Sequence, residues 1–203
     1  MILFGPVASI KDKAQFLEPD PTNDFFPLLS IEKQYEIVSK YCELRGEIPE
    51  DVRSYFNAVI SLYLYGWLYY PFYTLANFLS SVVVEMALRE RFPWRPSRIG
   101  EDRRGLKKLL KEAKAEGLLR NEHLPTLENA RANAEQLRQE LNEFMGQQTE
   151  PAPKTPYVDV LIESLPKIRN SFAHPDMHEI LAPGQALSGL ILAAEIINQL
   201  WPK

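Results

Sequence analysis

Arg169, Asn170 and His174 are the residues of this chain whose types and spacing could do chemistry together. An imidazole with an ordinary pKa of about 6.5 exchanges protons near neutral pH, so it can serve as base or acid. A guanidinium is permanently charged and forks onto phosphate oxygens. The three sit within Leu165-Pro166-Lys167-Ile168-Arg169-Asn170-Ser171-Phe172-Ala173-His174-Pro175. Apolar residues at Val158, Leu161, Leu165, Ile168 and Phe172 alternate three and four apart, which predicts a helix with one buried stripe. At about 100° per residue Arg169 falls on the flank of that stripe, and Asn170 and His174, four apart, share the outward face. Pro175 disfavours helical geometry at His174, so the helix is expected to end there. A cation, an amide and an imidazole are thus displayed at a helix end, outside the core. A plainer reading of the same residues is that Arg169 offsets the helix dipole and His174-Pro175 only stops the helix.

The elements that must position this tip are helical. Ser30 is a plausible N-cap for a helix over 31–45, stopped by Gly46. Pro49, Glu50 and Asp51 start a second over 50–66. A third spans 71–91 and ends before Pro93. A connecting loop runs to about 102. The helix 103–117 places Leu106, Leu109, Leu110 and Ala113 on one face, with Lys107, Lys108 and Lys111 on its flank and Gly117 as a left-handed cap. Leu127, Ala130, Ala134, Leu137, Leu141 and Phe144 form a narrow heptad seam on a long helix over 126–146, suited to docking on a bundle or on a partner chain. Residues 147–156, with three prolines, read as a linker. The last helix, 184–201, is apolar on most sides and should be central. Residues 1–29 read as an irregular arm with at most one short strand, and Pro19, Pro21 and Pro27 argue against a helix there. Residues 30–203 are expected to form one all-α domain.

Composition narrows the functional classes. A chain of 203 residues has room for a real core. One cysteine, Cys42, excludes an intrachain disulfide framework and suits a reducing, cytoplasmic setting; its spacing after Ile31, Tyr35 and Val38 makes it a core residue. Three histidines and one cysteine argue against a dedicated zinc site, and no other cofactor is indicated. No secretory signal pattern opens the chain. Residues 54–84 carry no charge and could span a bilayer by length, but Gly66 and Pro71 divide them into two pieces, which favours two buried helices and no membrane. The net charge is −4, unevenly placed. Residues 89–114 hold ten Lys/Arg against four Asp/Glu, a local +6, leaving −10 elsewhere. Such a segment, including Arg103, Arg104, Lys107, Lys108 and Lys111, is a candidate polyanion surface or simply a solvated helix face.

The Arg169-Asn170-x-x-x-His174 pattern resembles the HEPN family, many of whose members are RNases carrying Arg-x4-His with Asn or His after the Arg. Around it, the amphipathic run from Leu106 to Gly117-Leu118-Leu119 resembles the family's helix ending in Gly-Leu-Leu. Val84-Glu85-Met86-Ala87-Leu88-Arg89 looks like the family's earlier long helix with an internal acidic residue. The resemblance covers roughly residues 70–200. It implies a HEPN-type helical bundle, with extra N-terminal helices and helix 126–146 as an insertion. It also implies metal-independent RNA cleavage, in which the RNA 2′-hydroxyl attacks and leaves a 2′,3′-cyclic phosphate and a 5′-hydroxyl. His174 would be general base or acid and Arg169 would hold the scissile phosphate. Asn170 would orient His174 or touch phosphate, and Glu85 would pair with Arg169. One histidine per chain fills one of two proton-transfer roles, so the resemblance implies a homodimer with both motifs on one cleft.

Three readings stay open at this level. The first is an endoribonuclease of defence or toxin–antitoxin type, with an antitoxin or other protein partner. The second is a non-catalytic HEPN-like module that binds RNA, a nucleotide or a protein; Asp176 stands where the family's stricter toxins often carry an aromatic, and an acidic group there would repel RNA phosphate and weigh against strong catalysis without excluding RNA binding. The third is a helical interaction protein that uses the 127–144 seam. His123 and His178 could stand near a cleft, but histidines in such loops are mostly plain surface residues.

Overall fold

The computed structural model describes residues 11–26, 30–93, 105–146, 156–173 and 181–202, with the backbone alone for 171–173. Within them the chain is all-α, with seven α-helices: α1 (Ile31–Tyr41), α2 (Glu50–Tyr65), α3 (Pro71–Arg91), α4 (Leu106–Ala115), α5 (Pro125–Met145), α6 (Tyr157–Ala173) and α7 (Pro183–Leu200). Two short 3-10 turns, Pro21–Phe25 and Asn121–His123, complete it, and no strand occurs among the described residues.

α3 is the centre, packed chiefly against α7 and α2 and flanked by α4 and α6. It is the one described helix apolar and long enough to cross a bilayer, and here that apolar character faces other helices. α2 buries Val52, Phe56, Val59 and Tyr63, a single stripe at intervals of three and four. α7 buries Ala186, Leu187, Leu190, Ala193, Ala194, Ile196, Ile197 and Leu200, apolar around most of its circumference as its sequence predicts. Close approach of α3 and α7 needs Gly189, where a Cβ would run into the side chain of Asn77.

Three expectations need correction. α1 stops at Tyr41, four residues early, and Gly46 is not its cap. Instead Gly46 turns the following loop at φ +71°, with the Trp201 carbonyl 2.9 Å from where a Cβ would stand. That loop is clamped to α7, because Asn198 accepts from the Arg45 amide (2.7 Å) and donates to the Glu43 carbonyl (3.0 Å).

The N-terminal arm is also more ordered than its prolines suggest. Pro21 starts the 3-10 turn rather than breaking it, and Asp20 caps the turn through the Thr22 amide (2.9 Å). This segment straps onto the α2–α3 corner: Asn23 donates to the Trp67 carbonyl (2.8 Å) and Asp20 accepts from the Tyr70 amide (3.0 Å). Tyr73, fully buried, donates to Gln34 of α1 at 3.1 Å. The strand considered for the extreme N-terminus, and all but Pro156 of the 147–156 linker, lie outside the described residues.

The third correction concerns the motif helix. Val158, Leu161, Ile162 and Leu165 form its buried stripe, while Ile168 is exposed. With Ile162 inside, the stripe rotates, and Arg169 stands in line with Val158, Ile162 and Leu165 instead of on the flank.

Candidate functional site at the crossing of α3 and α6

Because α6 presents Arg169 along its core-facing line, the guanidinium reaches back onto α3. Glu85, on the flank of the buried Val84, Ala87 and Leu88, meets it: Oε2 lies 3.4 Å from Arg169 Nη2. Glu85 is mostly enclosed, its side chain 13 % exposed against 38 % for Arg169. Its other oxygen accepts both Nη2 (2.6 Å) and Nε (3.2 Å) of Arg89, one turn along α3. One carboxylate therefore bridges two guanidinium groups. Arg169 also donates from Nη1 to Asn170 Oδ1 at 3.2 Å, so the exposed amide holds the arginine. Its Nε is enclosed and donates to nothing among the described residues. At 3.4 Å the contact with Glu85 is longer than the 2.7–2.9 Å usual for a charge-assisted bond. Arg169 is fixed in place with donor capacity to spare.

The described part of the basic segment is not an open positive face. Lys107 of α4 bonds Glu163 of α6 (2.7 Å), and Lys114 bonds Asp159 (2.5 Å). The two pairs run in opposite chain directions and set α4 antiparallel to α6. Both pairs are half-exposed and screened by solvent, so they orient the helices more than they stabilise them. Glu163 is held below the usual carboxylate range chiefly by its bond from Lys107; desolvation opposes this, and the charges of Lys107, Lys111 and Lys167 reinforce it. Lys107, Lys111 and Lys167 thus cluster around one carboxylate, and Lys167 lies two residues before Arg169. Lys108 is exposed on the same helix.

His174, His178, Arg103, Arg104 and Asp176 lie outside the described residues. His123 is described and does not join the motif. It lines a cavity of about 660 Å³ between the end of α1, the end of α4 and α7, which none of Glu85, Arg169 and Asn170 lines.

The wall of that cavity includes Glu195, whose Oε1 accepts from the Thr126 hydroxyl (2.6 Å) and amide (3.0 Å) at the start of α5. Its Oε2 is enclosed without a partner among the described residues, and burial pushes its carboxyl pKa up against those two bonds. Cys42 is buried nearby, its thiol pushed up to about 12 by burial and then by the charge of Glu195. This suits a packing residue rather than a nucleophile. No group of three or more His, Cys, Asp or Glu stands together among the described residues.

Sequence reasoning passed over Arg89 and Lys167 as site members. The Glu85/Arg89 spacing of one helical turn was a readable signal for the first. The second depends on where α4 crosses α6, which no local pattern encodes. In comparisons with known proteins, no family model, no curated protein and no solved structure matches the chain.

Proposed function

We propose that this chain is a HEPN-like, metal-independent endoribonuclease whose site is completed by a second copy. The observation that carries the reading is Arg169: turned into the α3–α6 crossing, seated on Glu85 and steadied by Asn170, it still has its side chain 38 % exposed. Such a seat suits a phosphate-binding arginine, because a pre-set guanidinium loses less freedom when it forks onto oxygen.

His174 comes four residues after Asn170 in the sequence and supplies the proton transfer. Arg169 bears the charge that builds on phosphorus as the 2′-hydroxyl attacks. Lys167, Lys111 and Lys108 guide the strand, with Lys107 divided between RNA and Glu163. With one such histidine per chain, a two-fold pairing of motifs gives one base and one acid.

The test is cleavage of single-stranded RNA in EDTA by purified protein. We expect cyclic-phosphate ends, and loss of cleavage on His174→Ala or Arg169→Ala with helical content unchanged. Intact RNA at high protein concentration, or equal cleavage by both variants, refutes the reading.

The pairing of Lys107 and Lys114 with α6 favours a second reading, a HEPN-like module that binds RNA or nucleotide without cutting it, because part of the cationic surface is already neutralised. Salt-sensitive RNA binding without products would select it.

A further inference from the structure

α5 is amphipathic, but it faces the wrong way for a helix that belongs to one chain. None of its residues is buried. Its partly covered positions after Leu127 are polar: Arg131, Glu135, Arg138 and Asn142. Its apolar stripe, Ala130, Ala134, Leu137, Leu141 and Phe144, is exposed throughout, Phe144 to 89 %. The helix is anchored at its base, where Thr126 bonds Glu195, Leu127 packs against the core and Arg131 lies over the Tyr157 ring at 5.5 Å. Helix surfaces in water hide apolar stripes, so this one is built for a partner.

The stripe also indicates which partner. Its small residues lie towards the base and its large ones towards the tip. We propose that α5 pairs antiparallel with α5 of a second copy of this chain. Laid head to tail in the usual layers of such a pair, Leu127 meets Phe144 of the second copy, Ala130 meets Leu141, and Ala134 meets Leu137. Every layer that contains an alanine sets it against a leucine, which fills the seam evenly. A parallel pair would stack alanine on alanine and phenylalanine on phenylalanine, leaving voids beside a crowded tip.

The reversed direction also brings each exposed Phe144 to the anchored base of the other helix. Of the two edges, one sets Asn133 near Glu140 of the second copy. The other brings Arg131 towards Arg138, but Glu135, which already bonds Arg138, stands one turn from each and tempers their repulsion. Leu137, Leu141, Phe144 and Met145 together expose on the order of 450 Å² per copy. Two copies with their flanking residues reach the roughly 1,000 Å² that a specific interface needs. This pairing goes beyond the RNase reading and does not depend on it.

Cysteine cross-linking of the full chain under mild oxidation tests the arrangement, with buried Cys42 left in place. A mixture of Ala130→Cys and Leu141→Cys proteins should form a disulfide-linked dimer, and Phe144→Cys alone should not. Adding Leu137→Asp to both partners should abolish the link while circular dichroism stays unchanged. A link in Phe144→Cys alone, no link in the mixture, or a wild-type monomer by light scattering at tens of micromolar overturns the proposal.

Discussion

Replacing Glu85 by alanine should loosen Arg169 and Arg89 together, and the cost can be bounded from their exposure. Breaking a fully buried ion pair costs about 3–5 kcal/mol, and breaking an exposed one at most about 1 kcal/mol. Here the carboxylate is nearly enclosed and the Arg169 guanidinium about one-third exposed, with a long 3.4 Å contact. We therefore expect about 1.5 kcal/mol in all, of which the Arg89 pair on the same helix contributes about 0.4 kcal/mol. For a domain of this size that lowers Tm by about 3–6 °C.

Glu85→Gln keeps an acceptor for both arginines and should recover part of the loss. A double-mutant cycle of Glu85→Ala with Arg169→Ala isolates the cross-helix contribution, expected near 1 kcal/mol. Differential scanning calorimetry or urea unfolding reads both quantities. A Tm shift below about 1 °C, or a coupling energy indistinguishable from zero, would mean that Arg169 is not seated by Glu85, and the carrying observation of the functional proposal would go with it.

Two further predictions concern buried polar groups away from the motif. The Glu195 carboxyl has its folded pKa raised above the ordinary 4.5 by burial, so its contribution is fully present below that value and lost as pH rises through the folded pKa. Glu195→Gln keeps an acceptor for Thr126 and cannot ionise; its Tm advantage over wild type should grow from pH 4 towards pH 7, and a flat or shrinking difference in a pH-resolved melting series refutes this. Asn23→Ala removes the amide that donates to the Trp67 and Asp20 carbonyls, at a cost of about 1–2 kcal/mol. Limited proteolysis should then cut within residues 11–26 well before the bundle, whereas an unchanged cleavage order would show that the strap does not depend on Asn23.

Where burial follows local periodicity, it was readable from the chain. α2, α3 and α7 end close to their expected limits, and Gly117 takes the left-handed geometry at φ +70° that its place after α4 predicts. The failures share one cause. The early end of α1 follows from Asn198 clamping a loop more than 150 residues away in sequence. The displacement of Ile168 by Arg169 depends on what α3 offers opposite, a glutamate rather than an apolar pocket. The spending of Lys107 and Lys114 on α6 likewise depends on Asp159 and Glu163 arriving at the same crossing. Periodicity says which side of a helix is apolar, and only the partner decides which residue of a mixed edge goes inward. For α5 the seam was legible and its destination was not.

The strap formed by Asp20 and Asn23 has a consequence for how the protein is made. Its seats, the Trp67 carbonyl and the Tyr70 amide, lie more than forty residues downstream. On the ribosome the strap emerges first and has nothing to grip until the α2–α3 corner has cleared the exit tunnel, a wait of several seconds at about 5–20 residues per second. During that interval Phe25 and Phe26 travel with a tether that has no dock. A chaperone that holds nascent apolar segments would find a binding site there for as long as the dock is missing.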